Sequence, residues 1–415
     1  MREDSMPIDP RVVRYSGAMF DQDEISAVMA QLQDPMGLLP GKKVAEFEAR
    51  VAAYMGKAHG VMVNSGSSAL MVAFRLANLP QGSEVITPAL TFSSDVAAIY
   101  HVGCVPVFLD VGLDDYQAQV DQIEAVINQK TRAILIPDLV GGICDWDVVR
   151  RIADDHDLVV IHDSADTLGG KLRGRHTATR ADISITSFSP HHIITAMGTG
   201  GMVFFDDTNL LDRALALRSW GRSSEKFISG TRVKDSDGRF LEDLDGIEYD
   251  GLFIFEENAY GFIPSECGAA FGIEQMNKIE RLWALREERF AWHTEYLRQH
   301  EDKFILPQII PDTETTWLCY PVQIRPTQNW SRRKFQLHLE DAGIMCRVIF
   351  SGNITRHPMM NGYEYRIHPD GLAHCDQIME YGIMLPCHPT MTREDCDYLY
   401  QVVDEFIEAD GDPKA

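Results

Sequence analysis

Through the first half of the chain, short apolar runs alternate with amphipathic stretches of helical spacing. Runs over 60–64, 85–87, 105–109, 131–136, 158–161, 184–187 and 201–205 are bounded by polar or turn residues. Each is too short for a helix and reads as a buried strand. Between them, 67–77 and 93–100 carry the spacing of helices that lay one face on a sheet. This alternation predicts an α/β fold built on a large, mostly parallel sheet.

The rhythm breaks over 223–252, where Gly, Asp, Ser and Lys dominate. A stretch of that length reads as a functional loop or hairpin insertion rather than a connector. Helical spacing returns over 265–300, and the domain junction is expected there. Residues 1–270 then form a large domain and 271–415 a smaller α+β domain, with a strand over 317–324 and helices over 332–342 and 393–407. No internal repeat is visible.

Composition narrows the partners. A net charge of -24 argues against nucleic acid, yet a local anion site needs only backbone amides and an arginine or two. No apolar run reaches the roughly 18 residues of a membrane helix. The charged start Met1-Arg2-Glu3-Asp4-Ser5 lacks the apolar core of a secretion signal. A cytoplasmic protein with no membrane partner is expected. The eight cysteines include no Cys-x-x-Cys pair, and no metal site is expected from their spacing. His357, His368, His374 and His388 match no usual ligand spacing either.

Five segments carry candidate chemistry. Asn64-Ser65-Gly66-Ser67-Ser68-Ala69 joins a strand to a helix, where small residues let amides and a hydroxyl reach a phosphate. The same residues also suit a plain helix cap. Phe92, after Thr91, is a ring for stacking or for a core. In Ile161-His162-Asp163-Ser164-Ala165-Asp166, Asp163 ends a buried strand, where an acid needs a partner or caps the next helix. Ser187-Phe188-Ser189-Pro190-His191-His192 places two imidazoles ahead of a weak glycine match, Gly198-Thr199-Gly200-Gly201, which does not indicate a dinucleotide site. An imidazole pKa near ~6.5 suits proton transfer in both directions, although most histidine pairs are structural. In Phe350-Ser351-Gly352-Asn353-Ile354-Thr355-Arg356-His357-Pro358, Arg356 offers a fork for an anion.

In this order the five segments resemble the DegT/DnrJ/EryC1/StrS sugar aminotransferases, over about 13–406. Within that family the chain is most similar to the branch of nucleotide 4-keto-6-deoxyhexose 3-dehydratases. The resemblance implies the type I, aspartate-aminotransferase-like fold, a homodimer, and pyridoxal 5′-phosphate (PLP) or its amine form, pyridoxamine 5′-phosphate (PMP). It implies that Gly66, Ser67 and Ser187 meet the cofactor phosphate, that Phe92 stacks on the ring, and that Asp163 holds the ring nitrogen protonated. Asp166 stands where ordinary aminotransferases commonly carry Gln or His. Five residues after the serine, the family has a lysine that holds the cofactor covalently. Here that position is His192. The stretch to Gly201 is about one residue longer than in typical relatives, so His191 is the alternative.

Imidazole moves protons but forms no lasting imine. The resemblance therefore implies a dehydratase that removes the C3 hydroxyl of a nucleotide-linked keto-deoxysugar, with His192 as base. Asn353 and Arg356 are then substrate-binding, and an amino acid, with glutamate expected, regenerates PMP. Ser219-Trp220-Gly221-Arg222 is followed by no cysteine before Cys267, so the iron–sulfur ligands of some 3-dehydratases are missing. Gly261 stands where the family usually has an Asn that reaches the neighbouring subunit. The alternatives are a reductase-coupled 3-dehydratase, a C3 aminotransferase, and a non-catalytic sensor with the same fold.

Overall fold

The computed structural model describes residues 12–34, 37–222, 224 and 242–410. Helices of eight or more residues are α1 (Gln22–Gln33), α2 (Lys42–Tyr54), α3 (Gly66–Ala77), α4 (Ser93–His101), α5 (Trp146–His156), α6 (Leu211–Arg218), α7 (Glu266–Asn277), α8 (Ile279–Leu297), α9 (Arg332–Asp341), α10 (Ala373–Tyr381) and α11 (Arg393–Asp410). Strands of four or more are β1 (His59–Val63), β2 (Glu84–Pro88), β3 (Val105–Leu109), β4 (Thr131–Pro137), β5 (Val159–Asp163), β6 (Ile183–Ser187), β7 (Gly201–Phe205), β8 (Tyr320–Ile324) and β9 (Gly382–Leu385).

The large sheet runs β1-β7-β6-β5-β4-β2-β3, and the short strand Arg366–Ile367 adds beside β3. Strands β2 to β6 pair in parallel, whereas β7 is antiparallel to both β1 and β6. A parallel sheet must be covered on both faces, because successive side chains point to opposite sides. Val61, Val85, Leu135 and Val203 pack under α3, α4 and α6. Their neighbours Ile86, Ile134 and Ile136 face α5, and Met62 and Met202 face α2 and α7. This two-sided burial makes the strands read as continuous apolar runs.

The strand Phe304–Ile305 and strands β8 and β9 form a second, antiparallel sheet whose core includes residues of α9 and α11. Two segments stitch the lobes together. Val13 belongs to this C-terminal core and bridges to Ile344, while Arg366–Ile367 returns to the large sheet. Within the 223–252 stretch, Glu242–Leu244 and Ile247–Tyr249 form a hairpin. Its Asp245-Gly246 turn has positive φ at both residues, the geometry that matches strand twist. Residues 223 and 225–241 of that stretch lie outside the described residues. Among the described residues, no helix is long and apolar enough to cross a membrane.

Candidate active site

The carboxyl ends of β1, β2, β4, β5 and β6 open into one cavity of about 550 Å³. Strand order reverses beside β2, and such switch points are where open α/β sheets place ligands. Gly66, Ser67, Phe92, Asp163, Asp166, Ser187, His191 and His192 all line this cavity.

One wall is a backbone cradle. Ser65 caps α3 by accepting from Ser68 N at 3.1 Å, so the first amides of the helix face the cavity beside Ser187. A Cβ on Gly66 would come within 2.7 Å of the Ser187 Cβ, and one on Gly201 within 2.6 Å of Gly66 N. Only glycine allows this approach, and amides at a helix N-terminus favour a phosphate. Phe92 is 53 % exposed at the mouth, with Phe350 edge-on at 6.0 Å between ring centroids.

The floor is acidic. Asp163 accepts from Ala165 N at 2.8 Å, and burial pushes its carboxyl up to about 6. Asp166 accepts from Val140 N at 2.9 Å. Val140 holds φ at 55°, an unfavourable conformation for a β-branched residue, and this aims its amide at the acid. His192 Nδ1 lies 3.4 Å from Asp166 Oδ1 but is buried without a partner at hydrogen-bonding geometry. His191 takes the other direction, with Nδ1 2.5 Å from Ser16 Oγ. Burial, His192 and Arg347 lower its pKa, in that order. Arg286 anchors this segment. Fully buried at the lobe junction, it donates to the carbonyls of His192, Trp317, Leu318 and Cys387.

Asn353 and Arg356 do not line the cavity. Asp376 on α10 captures both, accepting from Asn353 Nδ2 at 2.7 Å and forming a two-pronged ion pair with Arg356. Both side chains expected to bind substrate are thus engaged by an acid of the same lobe. Three residues that the sequence reading passed over stand in the cavity instead: Tyr15, Asp95 and Arg347. Arg347 sits 5.4 Å from the Tyr15 ring centroid and forms no ion pair among the described residues. Asp95 had a signal, as a lone acid opening the apolar run Val96-Ala97-Ala98-Ile99. Tyr15 had none.

Comparison with known proteins agrees with this geometry. Residues 19–404 match the DegT/DnrJ/EryC1/StrS aminotransferase family. The chain belongs to that family. It is 31 % identical to a dTDP-4-dehydro-2,6-dideoxy-D-glucose 3-dehydratase of Saccharopolyspora spinosa, over 95 % of this chain and 86 % of that one. It is 27 % identical to a GDP-perosamine synthase of Caulobacter vibrioides, over 88 % and 91 %. A crystal structure of GDP-4-keto-6-deoxymannose-3-dehydratase with a trapped PLP–glutamate geminal diamine superposes with a TM-score of 0.85. At 23 % identity, with 94 % and 99 % of the chains covered, that likeness concerns the fold.

DegT/DnrJ/EryC1/StrS proteins are PLP-dependent enzymes of deoxysugar modification, and the residues here fit that cofactor. The glycine cradle with Ser67 and Ser187 suits its phosphate, Phe92 its ring face, and Asp163 its ring nitrogen. The His192 Nδ1 without a hydrogen-bond partner lies in the same cavity, 3.4 Å from Asp166 Oδ1.

Proposed function

We propose that the chain is a PMP-dependent dehydratase that removes the C3 hydroxyl of a nucleotide-linked 4-keto-6-deoxyhexose. One observation carries this reading: among the described residues, the cavity lining holds His191 and His192 but no lysine. A site without a primary amine lacks the group that anchors the cofactor covalently in transamination, and it retains groups that move protons.

When bound, the cofactor supplies an amine for the C4 ketone and a ring that accepts an electron pair. Asp163 holds a proton at the ring nitrogen. Asp166 faces His192 Nδ1 and favours the tautomer protonated there, leaving Nε2 to take a proton and return it to the departing C3 oxygen. His191, turned toward Ser16, orients the mouth. Arg347, with no acidic partner in the described structure, supplies the counter-charge for the anionic part of the substrate. Phe92, Phe350 and Tyr15 narrow the entrance and limit water. Water returns the C4 ketone and releases the amine nitrogen as ammonia, and an amino acid such as glutamate then restores the amine form and delivers the two electrons that the product has gained. A homodimer in the cytoplasm belongs to the same reading.

The test incubates the protein with PMP, glutamate and a panel of GDP- and dTDP-linked 4-keto-6-deoxyhexoses. The expected product lacks the C3 oxygen, and turnover continues without a reductase. A product that keeps every oxygen but the ketone's and gains an amine would refute the proposal. Strict dependence on an external reductant would move the chain to the reductase-coupled branch.

A further inference from the structure

Four carboxyls line the cavity. Asp138 is taken up by Trp146 Nε1 and His162 Nε2, each at 2.8 Å, and the other three are not equivalent. Asp163 and Asp166 each accept a backbone N–H, from Ala165 and Val140. Asp95 accepts no backbone hydrogen bond. It is 0 % exposed, its Oδ2 takes the Thr91 hydroxyl, and its Oδ1 is buried without a donor. The side chain it meets is that of Asp163, itself an acceptor while ionised. Two ionised carboxyls in contact cannot bond, and a buried oxygen left without a partner is costly. One proton between them resolves both problems.

We propose that Asp95 is a neutral carboxylic acid that donates its proton to Asp163, and so is a positioning residue for the acid that faces the cofactor nitrogen. The location of that proton follows from the donors. Asp163 already has an N–H to stabilise its negative charge, and Asp95 has only a hydroxyl. Burial, the negative charge of Asp163 and that of Asp166 all favour the protonated form of Asp95. The pair then carries one negative charge, held on the side chain that points at the ligand. The donated hydrogen bond orients that carboxylate and moderates its basicity. Asp95 touches no reacting atom in this arrangement. The part of the inference that concerns the cofactor rests on the functional reading above, whereas the shared proton does not.

The deciding measurement is infrared spectroscopy of the cofactor-free protein at neutral pH. A carbonyl stretch of a protonated, buried carboxylic acid should be present, vanish in Asp95→Asn and persist in Asp166→Asn. Its absence from the parent protein, or its survival in Asp95→Asn, overturns the proposal. A second measurement follows PMP affinity against pH. Asp95→Leu removes the donor and should raise the acid-side midpoint by about one unit or more, while Asp95→Asn, whose amide still donates, should restore it. An unchanged midpoint in both variants would also refute the positioning role. If no variant and no parent protein binds PMP, the functional reading falls, and the infrared result still decides where the proton sits.

Discussion

Histidine ring nitrogens are buried both at the cavity floor and inside the C-terminal lobe, and the two places treat them in opposite ways. In the C-terminal lobe every ring nitrogen of two buried histidines is used. His293 Nε2 donates to Pro386 O at 2.8 Å and its Nδ1 meets the Tyr400 hydroxyl at 3.1 Å. His388 pairs with Arg14 O at 2.9 Å and the Thr390 hydroxyl at 2.8 Å. Burial holds both near pKa 4, so they stay neutral and only brace the packing. On the floor, by contrast, His192 Nδ1 is buried without a hydrogen-bond partner, and Val140 is held in a costly conformation. Satisfied burial marks structure. Unsatisfied burial beside a cavity marks chemistry still to be completed by a ligand.

The comparison is broken most easily at the two adjacent histidines. His192→Asn should lower turnover by roughly 10²–10⁴-fold, the usual contribution of a positioned acid–base group. His191→Asn should cost less than about tenfold, since its ring is engaged by Ser16 and its role lies at the mouth. Steady-state rates of oxygen loss from the sugar would check both. The reverse ranking would assign the base to His191. A companion His192→Lys variant should keep PLP through dialysis and show the cofactor's added mass after borohydride reduction.

Next in size is Arg286, where the two regions meet. It is fully buried and gives hydrogen bonds to four carbonyls, including that of His192. Arg286→Leu strands those carbonyls and should cost about 3 kcal/mol or more. A denaturation midpoint that barely moves would show that the junction is looser than its geometry indicates.

Much of this was legible beforehand, and the reason is local. Strands buried on both faces leave uninterrupted apolar runs, and the turns after them leave Gly66, Ser67, Asp163 and Ser187 in recognisable order. Residues near in sequence to a strand end stay near it in space. Asp95 follows Phe92 by three residues, whereas Tyr15 and Arg347 come from segments distant in the chain, and nothing local marks them as neighbours. The pairing of Asn353 and Arg356 was equally hidden, because the acid that occupies them, Asp376, lies on a helix twenty residues beyond Arg356.

Protonation sharpens the contrast. His293 has a folded pKa near 4 against roughly 6.5 in an unfolded chain, so the folded state binds fewer protons between those values. Its contribution is fully present above pH ~6.5 and is lost as pH falls toward 4, about 3 kcal/mol in all. Asp163 has the opposite sign. Its folded pKa near 6 exceeds that of a free carboxyl, so its contribution is present in acid and lost as pH rises toward 6. Denaturation midpoints of the cofactor-free protein at pH 5 and 7 separate the two. His293→Gln, which keeps a donor for Pro386, should flatten the acid-side loss. Asp163→Asn should raise the midpoint at pH 7, because it removes a buried charge that only a ligand would neutralise.

The smallest expected effect concerns Arg356. Its side chain is 58 % exposed and paired with Asp376, an arrangement that adds little to stability in water. Arg356→Ala should leave the denaturation midpoint unchanged within error and leave KM for the nucleotide sugar within about twofold, whereas Arg347→Ala should raise KM at least tenfold, about 1.4 kcal/mol of lost anion contact. The pair of measurements tests the same principle as the histidines, now with cations. A guanidinium already matched by an acid has no charge left to offer a substrate, and one standing unmatched beside a cavity does. If Arg356→Ala instead weakens binding as strongly as Arg347→Ala, the pair with Asp376 opens when substrate arrives, and Arg356 takes its place beside Arg347 as a substrate contact.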